Sequence, residues 1–484
     1  MNLPRQRTSS GRASEPVQGM HAVVLGASMS GLLAARVLAE HFEQVTVVER
    51  DLLDRDGGVR RGVPQAHHAH VLLPRGAQIL ESLFPGLLQE LVDAGVPWSD
   101  SLDQMHMVAN GHRFFHEHGA HGTRRPAGSG MLYEPSRPFL ERRVLGRVRT
   151  LPNVGILAGY DVVGLMIRGD GTVRGAHVAS GTGEGRTREL PAELVVAATG
   201  RSGRAPAWLR SMGFPAPRED EVPVDLKYVT QRVRFPAGSV DHRRLVLIGA
   251  LPSRPRGVGA FAQEDDHWVV TLAGYAGHHP PTDREVWLRF AADLVPPDFA
   301  EALRQSEPLE GLRQHRFVAN LRRRYDKLDR FPEGFLVTGD ALCSFNPIYG
   351  QGMTVAAFEA LTMRDTLRAG WAGLAPRFFR AAAGPVGEAW RFAVGADLTM
   401  PPTVVPGARP LSIRAVNSYV DRVQAAAEND PVMAWRFMDV TGFQQPLGTL
   451  VGPDSLRRLA SDGIRRRRAA SPAAALRAPQ QVWP

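Results

Sequence analysis

The segment Ala22–Asp51, AVVLGASMSGLLAARVLAEHFEQVTVVERD, restricts the fold more than any other stretch of the chain. The mostly apolar run His21–Leu25 predicts a buried parallel strand, and the small residues Gly26–Gly31 a tight turn. Leu32–Glu40 then predicts a helix, and Gln44–Val48 a second strand closed by Glu49. A unit of this kind offers free N–H groups and the positive end of a helix dipole to a pyrophosphate, and its terminal acid takes a pair of ribose hydroxyls. The expected ligand is a dinucleotide, FAD or NAD. In the turn Gly26-Ala27-Ser28-Met29-Ser30-Gly31, Ser28 stands where the fingerprint has its middle glycine, and its hydroxyl can donate to a phosphate oxygen.

At 484 residues the chain is long for one domain, and two or three are expected. The net charge of +9 raises nucleic acid or an anionic membrane as a partner. The cations are nearly all arginine, Lys227 and Lys327 being the only lysines, and they are spread along the chain apart from Arg322–Arg324 and Arg465–Arg468. That distribution points to no nucleic-acid partner. A single cysteine, Cys343, excludes an intrachain disulfide and suits a reducing cytoplasm. No run is apolar for long enough to span a bilayer, so no integral membrane segment is expected. Residues 1–19 are polar, without an apolar segment after their arginines, and are read as a disordered tail rather than a secretory signal.

After Asp51 a Gly/Arg/Asp-rich excursion leads into Arg61-Gly62-Val63-Pro64-Gln65 and the histidines His67, His68 and His70. No carboxylate or cysteine set completes a metal site there, so no metal is expected. Gly76–Val92 has helical spacing with a break at Pro85-Gly86, and Ser136 caps a helix that carries Arg137 and Pro138 in its first turn. Val154–Leu157, Asp161–Arg168 and Arg174–Ser180 read as strands, and Leu194–Arg204 as a further strand running into a glycine turn. Residues 206–330 have β composition, with Glu264-Asp265-Asp266 as a hairpin tip, and form an expected substrate roof. The chain then returns at Gly339-Asp340, followed by a glycine-opened helix from Ile348-Tyr349-Gly350-Gln351-Gly352-Met353. The expected division is nucleotide-binding segments 20–80, 130–205 and 331–370, substrate-binding segments 81–129 and 206–330, a helical region 371–460 and a disordered tail 461–484. In fold class this is α/β: a Rossmann-like nucleotide domain, an inserted antiparallel sheet and a helical C-terminal region.

Taken together, Arg61-Gly62-Val63-Pro64-Gln65…His70, Ala198-Thr199-Gly200-Arg201 and Gly339-Asp340-Ala341…Phe345-Asn346-Pro347-Ile348-Tyr349-Gly350-Gln351-Gly352-Met353 carry a resemblance. The chain resembles the FAD-dependent monooxygenases of the p-hydroxybenzoate hydroxylase-like superfamily, closest to the actinobacterial branch of polyether-pathway alkene epoxidases. The resemblance implies FAD as cofactor, NADPH or NADH as reductant, dioxygen and a small apolar, polyketide-like organic substrate. It implies epoxidation or hydroxylation through a hydroperoxyflavin, in an antibiotic pathway. It places the FAD pyrophosphate at Gly26, Ser28 and Gly31, and the ribose at Glu49 beside Arg50. Arg61, Val63 and Gln65 lie against the cofactor. Arg137 reaches its phosphates or ribityl chain, Gly339 and Asp340 hold the ribityl side, and Gly350, Gln351, Gly352 and Met353 lie by the flavin ring. The family has Asp-Gly where this chain has Thr199-Gly200, so its nicotinamide-binding details do not transfer.

Trp268, Phe345 and Tyr349 are expected to line the substrate pocket, and His67 or His70 could serve as a base toward a phenol. Two rivals use the same residues differently. A reductase of prenyl-chain double bonds would share FAD and a large apolar pocket, and a flavin-bound nucleic-acid or partner-binding protein would lean on Arg465–Arg468. A flavin halogenase would carry Trp-x-Trp-x-Ile-Pro, which none of the eight tryptophans forms. The oligomeric state is not legible.

Overall fold

A computed structural model describes residues 19–53, 60, 62, 64–115, 131–181 and 187–469. Arg61 and Val63, the side chain of Gln65, and residues 1–18 and 470–484 of the two expected tails lie outside the described residues.

The opening segment folds as its pattern dictates. Strand β1 (Gly19–Leu25), helix α1 (Met29–Leu38) and strand β2 (Phe42–Glu49) follow one another with a short turn at Gly26–Ser28. β1 pairs in parallel with β2 on one side and with Leu194–Ala197 on the other, so Val24 lies between Val47 and Val196. Phe335–Val337 and Val154–Ala158 complete a five-stranded parallel sheet with β1 third in the order. A central strand of such a sheet is covered on both faces, which is why Ala22–Leu25 is continuously apolar and fully buried. Helix α1 packs Leu32, Leu33, Ala35 and Val37 into the same core.

The helices Pro74–Leu83 and Leu87–Asp93 break at Pro85-Gly86 as expected. They bury Leu83, Leu87 and Leu91 in the parallel-sheet core, so residues up to about 93 pack with the nucleotide domain rather than with the segment expected to begin at 81. A small antiparallel meander, Tyr160–Ile167, Val173–Ser180 and Thr187–Pro191, sits beside it.

The second body is a large, mostly antiparallel sheet in which Glu219–Arg234 pairs with Arg313–Arg323 and with His267–Gly274. Strand periodicity decides what each residue sees. Trp268, Val270 and Leu272 face the helices Arg284–Ala292 and Pro297–Gln305, where Trp287 and Phe299 are fully buried. Thr271 and Ala273, of opposite parity, face the interior cavity. Trp268 stacks edge-on against Phe235 and Phe299 and does not line the cavity, which corrects its expected place in the substrate pocket.

Four helices close the fold: Leu374–Asp397, Leu411–Ala426, Pro431–Thr441 and Pro453–Ala469. The last continues past the expected boundary at 460, because Arg466 pairs with Asp462 on its own helix and with Glu428 across from it. Arg323 and Arg324 are likewise spent inside the fold, on Glu219 and on Asp220 and Asp326. No described helix is long and apolar enough to cross a membrane.

Candidate functional site

One cavity of about 1510 Å³ runs from the turn after β1, past Gly339-Asp340 and the loop before the Gly352 helix, to the antiparallel sheet and the C-terminal helices. Its walls collect Gly26, Ser28, Glu49, Arg50, Arg137, Asp340, Gly350, Gly352 and Met353, residues from five separate parts of the sequence.

The turn is built by close backbone approach. Gly26 has φ +109°, and a Cβ there would meet the Ala198 carbonyl oxygen at 2.5 Å. A Cβ on Gly31, inside α1, would sit 1.8 Å from the Gly26 carbonyl oxygen, so α1 can begin this close to the turn only with glycine. Gly31 thus shapes the site from behind and does not line it. Glu49, at the end of β2, is buried, accepts from Ala27 N at 2.7 Å and Asp51 N at 3.0 Å, and pairs with Arg60 at 3.3 Å.

A carboxylate that the sequence reading passed over stands at the mouth of α1. Glu141 Oε1 accepts from Ser28 Oγ at 2.7 Å, Met29 N at 3.2 Å and Arg137 Nη2 at 2.7 Å, while Oε2 takes Arg60 Nη2 at 2.8 Å. It stands by the start of α1, where the helix dipole favours negative charge. Its one sequence signal is the four-residue spacing from Arg137 on a Ser136-capped helix. Burial alone would raise the Glu141 carboxyl, but Arg137, Arg60 and the Ser28 hydroxyl outweigh it and hold it at about 2. Its folded value lies below the ordinary 4.5, so this carboxylate stabilises the fold above about pH 4.5 and the contribution is lost as pH falls toward 2. Thermal unfolding of flavin-free protein from about pH 6 to about pH 3 should therefore lose about 2 kcal/mol more in the wild type than in Glu141→Gln. Equal acid sensitivity of the two would remove this role.

Arg137 turns toward Glu141 and Ser28, and its buried Nε has no partner among the described residues. That N–H is a donor in want of an acceptor beside the cavity. Asp340 reaches the cavity with protein packed around it; burial raises its carboxyl above the ordinary value against the pull of Arg137 and Arg201. Its turn is held by Glu359, whose Oε2 accepts from Thr338 Oγ1 and from Gly339 N, each at 2.5 Å. Gly350 has φ +66°, and Gln351 is buried with an Oε1 that lacks a partner among the described residues. Gln351 lies behind the cavity wall and does not line it, whereas Met353 does.

The two histidines singled out in the sequence separate. His70 lines the cavity, and since a carbonyl can only accept, its Nδ1 donates to the His68 carbonyl at 2.8 Å. Burial lowers it to about 4, with Arg137 adding to the effect, so it is neutral near pH 7. His67 ends a short 3₁₀ turn away from the cavity, near Glu310, Arg313 and Arg232. The residue in its place is His68, buried beside His315 and Tyr228, bonded through Nδ1 to Thr230 Oγ1 at 2.7 Å, and lowered by burial to about 3. Phe345 and Tyr349 line the cavity. Beyond them the lining is largely apolar, with Asn417 and Gln424 among its polar members: Met107, Leu245, Leu247 and Phe261 from the sheet pack with Phe437 and Met438 from the C-terminal helices. The described residues contain no cluster of histidine, cysteine or carboxylate groups able to hold a metal.

No protein-family model matches the chain. It is 38% identical over 438 residues to Protein Rv3254 of Mycobacterium tuberculosis (strain ATCC 25618 / H37Rv), a match that covers 88% of this chain and 90% of that one. The chain belongs to the Rv3254 family. Among solved structures it is similar to a flavoprotein/dehydrogenase from Cytophaga hutchinsonii, at TM-score 0.64 and 14% identity over 94% of this chain and 99% of the other. It is also similar to p-nitrophenol 4-monooxygenase PnpA from Pseudomonas putida DLL-E4, at TM-score 0.61 and 17% identity over 89% and 99%. At these identities the likeness is one of fold, and the fold is the α/β flavoprotein architecture expected from the sequence resemblance, with its inserted antiparallel sheet and helical end.

Proposed function

We propose that this member of the Rv3254 family is an FAD-dependent monooxygenase that uses NADH or NADPH and dioxygen to epoxidise or hydroxylate an apolar organic molecule. The observation that carries the reading is the single cavity joining the Gly26–Glu49 nucleotide unit to an apolar lobe past the Gly350–Met353 loop. The names of the similar structures, a flavoprotein and a monooxygenase, support it. The residues fit the cofactor. Glu49 and Arg50 would hold the adenosine end, the Gly26–Ser28 turn and Arg137 Nε the phosphates, Asp340 the ribityl hydroxyls, and Gly350, Gly352 and Met353 the ring.

When bound, FAD would supply the oxygen chemistry, and the chain's own task is to position and to exclude water. The amino-terminus of the Gly352–Arg368 helix points partial positive charge at the loop where negative charge would build. Neutral His70, its proton held on Nδ1 by the His68 carbonyl, leaves Nε2 as an acceptor only, and neutral His68 likewise introduces no fixed charge at the cavity wall. An alkene requires no protein base, which suits a lobe whose described lining is largely apolar.

The test is turnover of FAD-loaded protein on geranylgeraniol, an alkene open to oxygenation and to reduction alike. The monooxygenase reading expects product that carries one oxygen atom from labelled dioxygen and none formed anaerobically. Product that gains two hydrogens with dioxygen absent would instead establish the prenyl-chain reductase.

A further inference from the structure

Where the cavity meets the helix Leu374–Asp397, its wall is polar in an unusual way. Asp397, the last residue of that helix, is fully buried and receives four donors. Tyr275 Oη lies 2.8 Å, Asn346 Nδ2 2.8 Å and Tyr349 Oη 2.9 Å from Oδ1, and Asn320 Nδ2 lies 2.7 Å from Oδ2. The orientations of both amides are fixed independently, because each Oδ1 accepts from a backbone N–H: Asn346 from Ile348 N at 3.2 Å, Asn320 from Asn346 N at 2.6 Å. Their NH₂ groups must therefore face Asp397. Tyr228 Oη completes the set by donating to Asn346 Oδ1 at 3.1 Å.

The proton count follows. Burial raises the Asp397 carboxyl above its ordinary value while the four hydrogen bonds pull it back down, and the ionised form uses all four donors. The protons of Tyr275 and Tyr349 then point at Asp397, and that of Tyr228 at Asn346. Both N–H bonds of Asn346 are also spent, on Asp397 and on Tyr275 Oη at 3.2 Å. Tyr228, Tyr275, Asn346 and Tyr349 all line the cavity, and none has a proton left to give it. Whatever part of them a ligand reaches is ring face or oxygen lone pair.

We propose that Asp397 is a specificity-determining positioning residue: by drawing these protons inward it makes this wall acceptor-only, so the cavity favours a substrate that brings its own hydroxyl or N–H donor to the tyrosines. The inference rests on the oxygenase reading only in taking this lobe as the substrate's.

Calorimetric titration of FAD-loaded protein with 2-naphthol and with its methyl ether, 2-methoxynaphthalene, tests it, since the two probes differ in a single donor. The wild type is expected to bind the naphthol roughly tenfold more tightly. Tyr349→Phe, which removes one hydroxyl from a partly exposed ring, should cut that ratio to about threefold or less. Asp397→Ala removes the acceptor and frees the Tyr349 proton to turn outward, so the preference should vanish or reverse, whereas a purely structural role would weaken both probes equally. Should Asp397→Ala fail to fold, Tyr349→Phe alone decides. Equal affinities in the wild type, or an unchanged ratio in Tyr349→Phe, would overturn the proposal. Protein that binds no FAD yet keeps the naphthol preference would sink the oxygenase reading and leave this inference standing.

Discussion

Asp340→Ala and Glu49→Ala are each expected to empty the protein of flavin, weakening FAD roughly 10- to 100-fold apiece and more in combination. Glu49 fixes the turn through Ala27 N as well as facing the ligand, so its loss also loosens the frame of the site. Asp340 carries no such duty, because its turn is held by Glu359 from behind. Asp340→Ala should therefore leave the unfolding temperature of the flavin-free protein near that of the wild type. The flavin absorbance retained after gel filtration, read beside that temperature, separates the two effects. Full occupancy in both variants would mean that the cavity binds its ligand by other residues.

The second large effect belongs to Gly31→Ala. The added methyl would lie 1.8 Å from the Gly26 carbonyl oxygen and 2.9 Å from its carbon, and a backbone pinned between β1 and α1 cannot step aside as a flexible side chain would. The variant should lose roughly 3 kcal/mol or more and bind FAD poorly even where it folds. Gly146→Ala is the control: its Cβ meets nothing within 4 Å, and it lies within the helix Arg137–Arg149. There alanine should gain about 0.5–1 kcal/mol through helix propensity. Denaturant unfolding of the pair measures both; a tolerated Gly31→Ala would show that α1 can move away from the turn.

How much of this was legible depended on how local each signal was. The parallel sheet was written in continuous apolar runs such as Ala22–Leu25 and Leu194–Ala197, which only strands buried on both faces require. The Ser136 cap and the Pro85-Gly86 break were likewise local. Trp268 was misplaced because composition marks a strand without saying which face each residue takes, and a shift of one residue exchanges helix-facing for cavity-facing positions. The same one-residue ambiguity hid His68 behind His67. Glu141 and Asp397 were missed for a different reason. Their partners, Ser28 at one and Asn320 and Tyr275 at the other, lie 113, 77 and 122 residues away, and no spacing rule reaches that far. The helix through Ala469 was hidden by its own arginines, which look like a solvated tail until Glu428 is seen opposite Arg466. The share of the C-terminal helices in the cavity wall, through Phe437 and Met438, also became visible only in three dimensions.

The central claim is that one flavin site feeds one apolar cavity. Titrating purified protein with FAD, then adding NADPH or NADH and following nicotinamide oxidation beside dioxygen consumption, tests it most directly. The account predicts one FAD bound per chain, and nicotinamide oxidation that draws on dioxygen only once FAD is present. Protein that folds, yet binds no FAD at saturating concentration, would contradict it.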